Sequence, residues 1–244
     1  MISTLQKLAG IGANISDKST PSINFNGNLP ITIEVLKQID RDHFKLKLGR
    51  KELNTKSQKN LKEGKRYWGN FFEGKGGVLT ISNLYLQPHI FQSDAHFLDI
   101  NLEPMMKNAF TFEEWRVFLL KNLLDDGTSK ESFATLSHML VALSKQTIHL
   151  PLLREGKKYL LQFQKTSQEE QLKFYAGFEN LGPIRGILTQ HHGQMEMEID
   201  VMYEKSLFFL QKELDKLGMI THISLVRDIL PLYDLNDLLL DLKG

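Results

Sequence analysis

The stretch Gln194-Met195-Glu196-Met197-Glu198-Ile199-Asp200-Val201 carries the clearest apolar/polar alternation in the chain. Successive side chains of a strand point to opposite faces, so Met195, Met197, Ile199 and Val201 share one side and Gln194, Glu196, Glu198 and Asp200 the other. One face is expected to be buried and the other wet, as in an antiparallel sheet with one solvated side. Just upstream, His191, His192 and Gly193 have the length of a hairpin turn with Gly at a left-handed position, preceded by Ile184, Gly186 and Leu188 as the partner strand. Tyr159 to Gln164, then Leu172, Phe174, Ala176 and Phe178, add two further strands. Downstream, Leu207, Leu210, Leu214 and Leu217 form the apolar stripe of a helix that begins near Tyr203, and Gly218 sits where a glycine ends such a helix. Met219 to Leu225 reads as a last strand. Pro231 precedes an acidic tail with Leu235, Leu238, Leu239 and Leu242, expected to form a short docking helix.

The beginning of the chain is also strand-like. Ile31, Ile33 and Val35 alternate with polar neighbours, as do Phe44, Leu46 and Leu48 with Lys45 and Lys47 up to Gly49. Val78 to Leu86 adds a strand after the Gly74 to Gly77 loop. These short strands predict a small antiparallel β-barrel, OB-like or SH3-like. Between Leu102 and Leu150 the period changes. Phe112, Trp115, Phe118 and Leu119 fall on one helical face, Phe133, Leu136, Leu140 and Leu143 repeat the spacing, and Asp125, Asp126 and Gly127 separate two helices. Thr111 with Glu114 has the pattern of a capping box, and Ser129 with Ser132 begins the second helix. The expected fold class is therefore multi-module α+β. Its expected parts are a flexible leader (1–22), a small β-barrel-like domain (23–98), a helical hairpin (99–152), and a C-terminal α+β domain (153–244) with an antiparallel sheet packed on one helix.

Composition narrows the function classes. Lys plus Arg number 30 and Asp plus Glu 29, so any electrostatic attraction must be local. There is no Cys, which removes disulfides, thiolate nucleophiles and Cys-based metal sites. No apolar run approaches the roughly 18 residues needed to span a bilayer, and the start lacks the layout of a secretory signal, so a soluble protein without membrane insertion is expected.

The candidate chemistry is sparse. His191 and His192 are adjacent in a turn, point apart and lack a third ligand at helical spacing, so no metal is expected. Glu73-Gly74-Lys75-Gly76-Gly77 lacks the spacing and the Lys-Ser/Thr pair of a phosphate loop and reads as a hairpin loop. Glu196, Glu198 and Asp200 read as the solvated side of a strand rather than as paired catalytic carboxylates. No catalytic residue and no cofactor is expected, and the chain reads as a non-enzyme. One region is locally basic: Lys37 to Lys75 holds 12 Lys and Arg against 5 Asp and Glu, with Tyr67, Trp68, Phe71 and Phe72 interleaved. A basic OB-like barrel using Lys45, Lys47, Arg50, Lys51, Lys65 and Arg66 on nucleic acid is the alternative function.

The C-terminal third resembles the C-terminal domain of flagellar hook-length control (FliK-like) proteins. The residues that carry the resemblance are Asn180-Leu181-Gly182-Pro183-Ile184, Gly186 and Leu188, then Gly193 with Met195, Met197 and Ile199, then Leu207, Leu210, Leu214, Leu217 and Gly218. It spans roughly Tyr159 to Leu225. A weaker echo lies in Leu48, Gly49 and Leu53, then Leu61 and Gly64. The resemblance implies a non-enzymatic role in flagellar type III export, controlling hook length or switching export from hook to filament subunits. It implies contact with the cytoplasmic domain of the export-gate protein FlhB, and with hook or hook-cap proteins. It also implies a cytoplasmic protein that is itself exported through the flagellar apparatus, which gives the 1–22 leader a purpose. The chain departs from the family in lacking its long Gln/Pro/Ser-rich measuring segment. The partner surface is expected at a strand edge or at Leu181, Gly182, Pro183, Ile184, Gly186 and Leu188, where the Leu-Gly-Pro turn meets the two-faced sheet.

Overall fold

The computed structural model describes residues 29–57, 59–73, 79–92, 97–99, 111–167, 170–214, 216 and 219–234. The leader, the glycine loop after Glu73 and the Leu-rich tail from Leu235 lie outside the described residues, as do Leu217 and Gly218. The fold is mixed α+β, with two sheets and four helices among the described residues.

The first sheet is built from β1 (Ile31–Gln38), β2 (His43–Leu48), β3 (Lys51–Lys56), β4 (Arg66–Glu73) and β5 (Leu79–Leu86), in the order β3-β2-β1-β4-β5 and antiparallel throughout. The Asp40 carboxylate closes the β1–β2 turn by accepting the backbone N–H groups of Asp42 and His43. The alternation in the sequence gives one buried face, where Ile33, Val35, Phe44, Leu46 and Leu48 pack with Leu61 and Tyr67. The expected barrel does not form: β3 and β5 are the two ends of an open sheet, and no strand pairing joins them among the described residues. A period of two defines a buried face but not closure, which needs a matched tilt and stagger of every strand. Here the opposite face of β4 turns outward, and Trp68 packs against the rest of the protein.

The second sheet comprises β6 (Thr147–Arg154), β7 (Lys157–Lys165), β8 (Gln171–Phe178), β9 (Gly182–His191), β10 (Gln194–Val201) and β11 (Ile220–Leu225), in the order β11-β10-β9-β8-β7-β6. Neighbours pair antiparallel except β10 and β11, which are parallel. A parallel pair needs a crossover, supplied here by helix α4 (Glu204–Leu214). His192 and Gly193 both have positive φ, +48° and +81°, so the β9–β10 hairpin takes the mirror-image turn whose twist matches its strands.

β6 runs across the 152/153 boundary drawn from the sequence, so residues 147–152 belong to the sheet and not to the helical segment. Its signal is masked because the preceding helix, α3 (Lys130–Ser144), stops without a glycine. Gln146 takes the left-handed position instead, at φ +59°. The helix before it, α2 (Phe112–Leu123), begins at a complete capping box: Glu114 N–H donates to Thr111 Oγ1, and Thr111 N–H donates back to the Glu114 carboxylate. A single helical turn, α1 (His89–Gln92), follows β5.

The second sheet is covered on both faces. On one face, α2 and α3 bury Trp115, Leu119, Leu136 and Met139 with Leu150, and α4 lays Leu207, Leu210 and Leu214 over Ile184, Ile199, Val201 and Ile223. The other face meets the first sheet along a seam of Trp68, Phe91, Phe97, Leu160, Tyr175, Tyr203 and Ile229. No helix among the described residues is long and apolar enough to cross a membrane.

Candidate interaction site

The residues marked by the Leu-Gly-Pro turn are structural. Gly182, Pro183 and Gly186 are buried, Ile184 is only 5% exposed under α4, and Leu181 and Leu188 are half-buried. Gly182 has φ +73°, and a Cβ there would stand 2.6 Å from the Tyr203 ring. A Cβ at Gly186 would collide with the Glu198 carbonyl and the Phe174 ring, so the glycine lets Phe174 lie across β9. The Leu181 carbonyl accepts the Ser206 hydroxyl at 2.7 Å, tying the turn to the start of α4. A partner cannot reach Gly182, Pro183, Ile184 or Gly186 while the fold is intact.

The strand edge is a different matter. The two ends of the second sheet are treated unequally. At β6 the edge is covered: Leu98 N–H donates to Pro151 O at 2.8 Å, Leu153 N–H donates to Leu98 O at 3.0 Å, and Pro151 has no N–H to offer. At the other end β11 pairs with β10 alone among the described residues. Its sequence, Ile-Thr-His-Ile-Ser-Leu, contains no Lys, no Pro and no bulge, the usual devices that blunt an open edge. Leu225 at its end is 48% exposed, and Phe208 on α4 is 61% exposed.

The face that meets the first sheet, exposed only toward its β11 end, carries a polar row that crosses all six strands. Strand register places His149, Gln162, Tyr175, Arg185, Asp200 and Ser224 side by side. The end at β6 is buried under residues 229–234, and the end at β11 is open. At the open end Arg185 donates to Asp200 at 2.7 Å. Glu198 lies opposite His222, exposed and with no ion pair among the described residues.

At the buried end, Gln162 Oε1 accepts the N–H groups of Leu232 and Tyr233, which fixes the amide orientation. Gln162 Nε2 therefore donates to Tyr233 O at 2.6 Å and to His149 Nδ1 at 2.9 Å. His149 Nδ1 must be a bare acceptor, so the neutral ring carries its proton on Nε2. Burial, and then the nearby His138, lower its pKa to about 3. The same tertiary fold gathers His89, His138, His149 and Asp234 around a cavity of about 20 Å³, room for one water. No sequence spacing signals this cluster, because its members come from separate elements. The His149 tautomer is the wrong one for ligation through Nε2, and no group of three or more His, Asp or Glu among the described residues is arranged to hold a metal ion. His192 is exposed at its turn; the His191 side chain lies outside the described residues.

Some of the basic residues of the first sheet face acidic partners by position. Register aligns Arg66, Glu34, Lys47 and Glu52 across four strands in alternating sign. Lys45 contacts Glu52 at 2.6 Å, and Arg66 also donates to the Phe91 carbonyl. Arg50 and Lys51 are exposed at the β2–β3 turn, and Lys65 is half-buried at the seam. Tyr67 and Trp68 are buried, so neither offers a ring for a base to stack upon; the Phe71 and Phe72 side chains lie outside the described residues.

The chain matches no protein-family model, and no curated protein or solved structure is significantly similar to it.

Proposed function

We propose that this protein acts without covalent chemistry, by taking an extended segment of another protein onto the open edge of β11. We place that contact in flagellar type III export, controlling hook length or switching substrate specificity, with the cytoplasmic domain of FlhB as the partner. The observation that carries the reading is the contrast, among the described residues, between a covered edge at β6 and an open one at β11. An added strand would gain backbone hydrogen bonds from β11, while alternate side chains meet the exposed Leu225 on one face and the His222 and Ser224 side on the other. Glu198 and Glu196 lie one strand further in, so the fitting segment carries Lys or Arg on that side. The family resemblance in the sequence supplies the biological setting.

Calorimetry of the full chain against the purified FlhB cytoplasmic domain tests this. Leu225→Asp is expected to weaken binding tenfold or more while leaving the thermal midpoint within a few degrees of the parent. Equal affinity for parent and variant, or no binding by the parent, removes the proposed surface.

A further inference from the structure

Residues 229–234 lie across the second sheet as a strap. Val226, just past β11, still donates its N–H to the Val201 carbonyl at 2.8 Å, Arg227 and Asp228 are exposed, and Ile229 is buried in the seam between the sheets. Ile229, Leu230, Pro231 and Asp234 then line a cleft of about 430 Å³ whose lining also includes Trp68 and Tyr175.

The polar grip on this strap is concentrated in one buried amide. Gln162 Oε1 accepts the N–H groups of Leu232 and Tyr233, and Gln162 Nε2 donates to the Tyr233 carbonyl and to His149 Nδ1. The set is satisfied only while His149 Nδ1 is bare. A proton there sets a donor against a donor at 2.9 Å. Turning the amide over gives the new Nδ1–H an acceptor, but it aims Nε2 at the Leu232 and Tyr233 N–H groups and Oε1 at the Tyr233 carbonyl. Every Gln162 hydrogen bond to the strap is then lost, and unpaired buried groups are costly.

The groups facing His149 set the balance. His138 on α3 and His89 on α1 line the same small cavity, and a cation on either would repel a charged His149. Asp234, which accepts the His89 N–H at 3.2 Å, is the carboxylate in that lining and attracts a charged ring. Tyr233 lies edge-on to His149 at 5.2 Å, and Tyr175, kept neutral by burial, sits beyond Gln162 on β8. Burial is the largest influence on His149 and holds the ring neutral under the closed strap. An open strap admits water, and the ring regains its ordinary basicity.

We propose that residues 229–234 are a proton-released strap: proton uptake by His149 turns the Gln162 amide over, frees the strap from the second sheet and opens the cleft. The hinge is the exposed Arg227-Asp228 pair, so β11 keeps its pairing with β10.

Amide hydrogen exchange of the full chain, read residue by residue from pH 7.5 to 5 and expressed as protection factors, tests this. One proton taken up on opening weakens protection up to about tenfold per pH unit below pH 6.5. Protection at Leu232 and Tyr233 is therefore expected to fall roughly thirtyfold by pH 5, while that at the centre of β8 falls much less. His149→Asn offers an oxygen in place of Nδ1 and does not titrate, so it should abolish the fall. Protection at Leu232 and Tyr233 that does not change with pH, that falls in step with β8, or that falls equally in His149→Asn overturns the proposal. The comparison with β8 in the parent chain decides alone if the variant does not fold.

Discussion

The Tyr203 ring occupies the space that a side chain at position 182 would need, 2.6 Å from an ideal Cβ, and its hydroxyl donates to the Asn83 carbonyl of the first sheet at 3.0 Å. One glycine therefore lets a residue at the start of α4 reach the other sheet. Gly182→Ala should cost more than Gly49→Ala. Both have positive φ, worth about 1–2 kcal/mol for a non-glycine residue, but nothing lies within 4 Å of position 49. The excess measures the steric term. Tyr203→Phe should cost about 1 kcal/mol for the lost hydrogen bond. Urea denaturation of the three variants checks the order.

Gln162 holds the 229–234 segment against the second sheet through two accepted hydrogen bonds and one donated, and donates another to His149 of β6. Gln162→Met keeps the volume and strands the N–H groups of Leu232 and Tyr233. The expected loss is roughly 3 kcal/mol, at about 1–3 kcal/mol per unpaired buried group. Amide exchange at Leu232 and Tyr233 should accelerate ahead of that at the centre of β8.

Stability should fall on mild acidification. His149 has a folded pKa of about 3 against 6.5 unfolded. Above pH 6.5 the ring is neutral in both states and the two bind protons equally. Between 6.5 and about 3 the unfolded chain takes up a proton that the folded chain refuses, so stability drops as pH falls, by up to roughly 1 kcal/mol per pH unit. The half-buried His138, lowered by burial and then by His89, acts in the same direction. Denaturation midpoints from pH 8 to 4 should show this slope, and His149→Gln should flatten it.

Arg185→Ala should have a small effect. The Arg185–Asp200 pair is short at 2.7 Å, but its side chains are 43% and 30% exposed, and water screens such pairs to about 1 kcal/mol or less. A loss much larger than that, measured by the same denaturation, would show that the open end of the polar row is shielded from solvent.

Much of the secondary structure was legible because local physics specifies it. The Gln194–Val201 alternation, the His192-Gly193 turn and the Thr111–Glu114 capping box each depend on residues within a few positions of one another. β6 was not legible, since Gln146 supplies a helix stop usually supplied by glycine. The burial of the Leu-Gly-Pro turn was not legible for a related reason. Leu181 to Leu188 have the composition of a distinctive turn and strand, and only the docking of α4 and Tyr203 shows that Gly182, Pro183, Ile184 and Gly186 are spent inside the fold.

The sequence by itself determined which segments are strands with one apolar face, where the helices in the middle of the chain begin, and that no cysteine chemistry is open to the protein. Tertiary structure alone decided that, among the described residues, the first sheet stays open and β11 rather than β6 is the bare edge, and that Trp68 and Tyr175, 107 positions apart, line one cleft. The physical reason is range. Periodicity and capping act over a few residues, whereas closure, edge protection and the pairing of buried polar groups depend on which faces meet, and that is settled only when the whole apolar surface is buried at once.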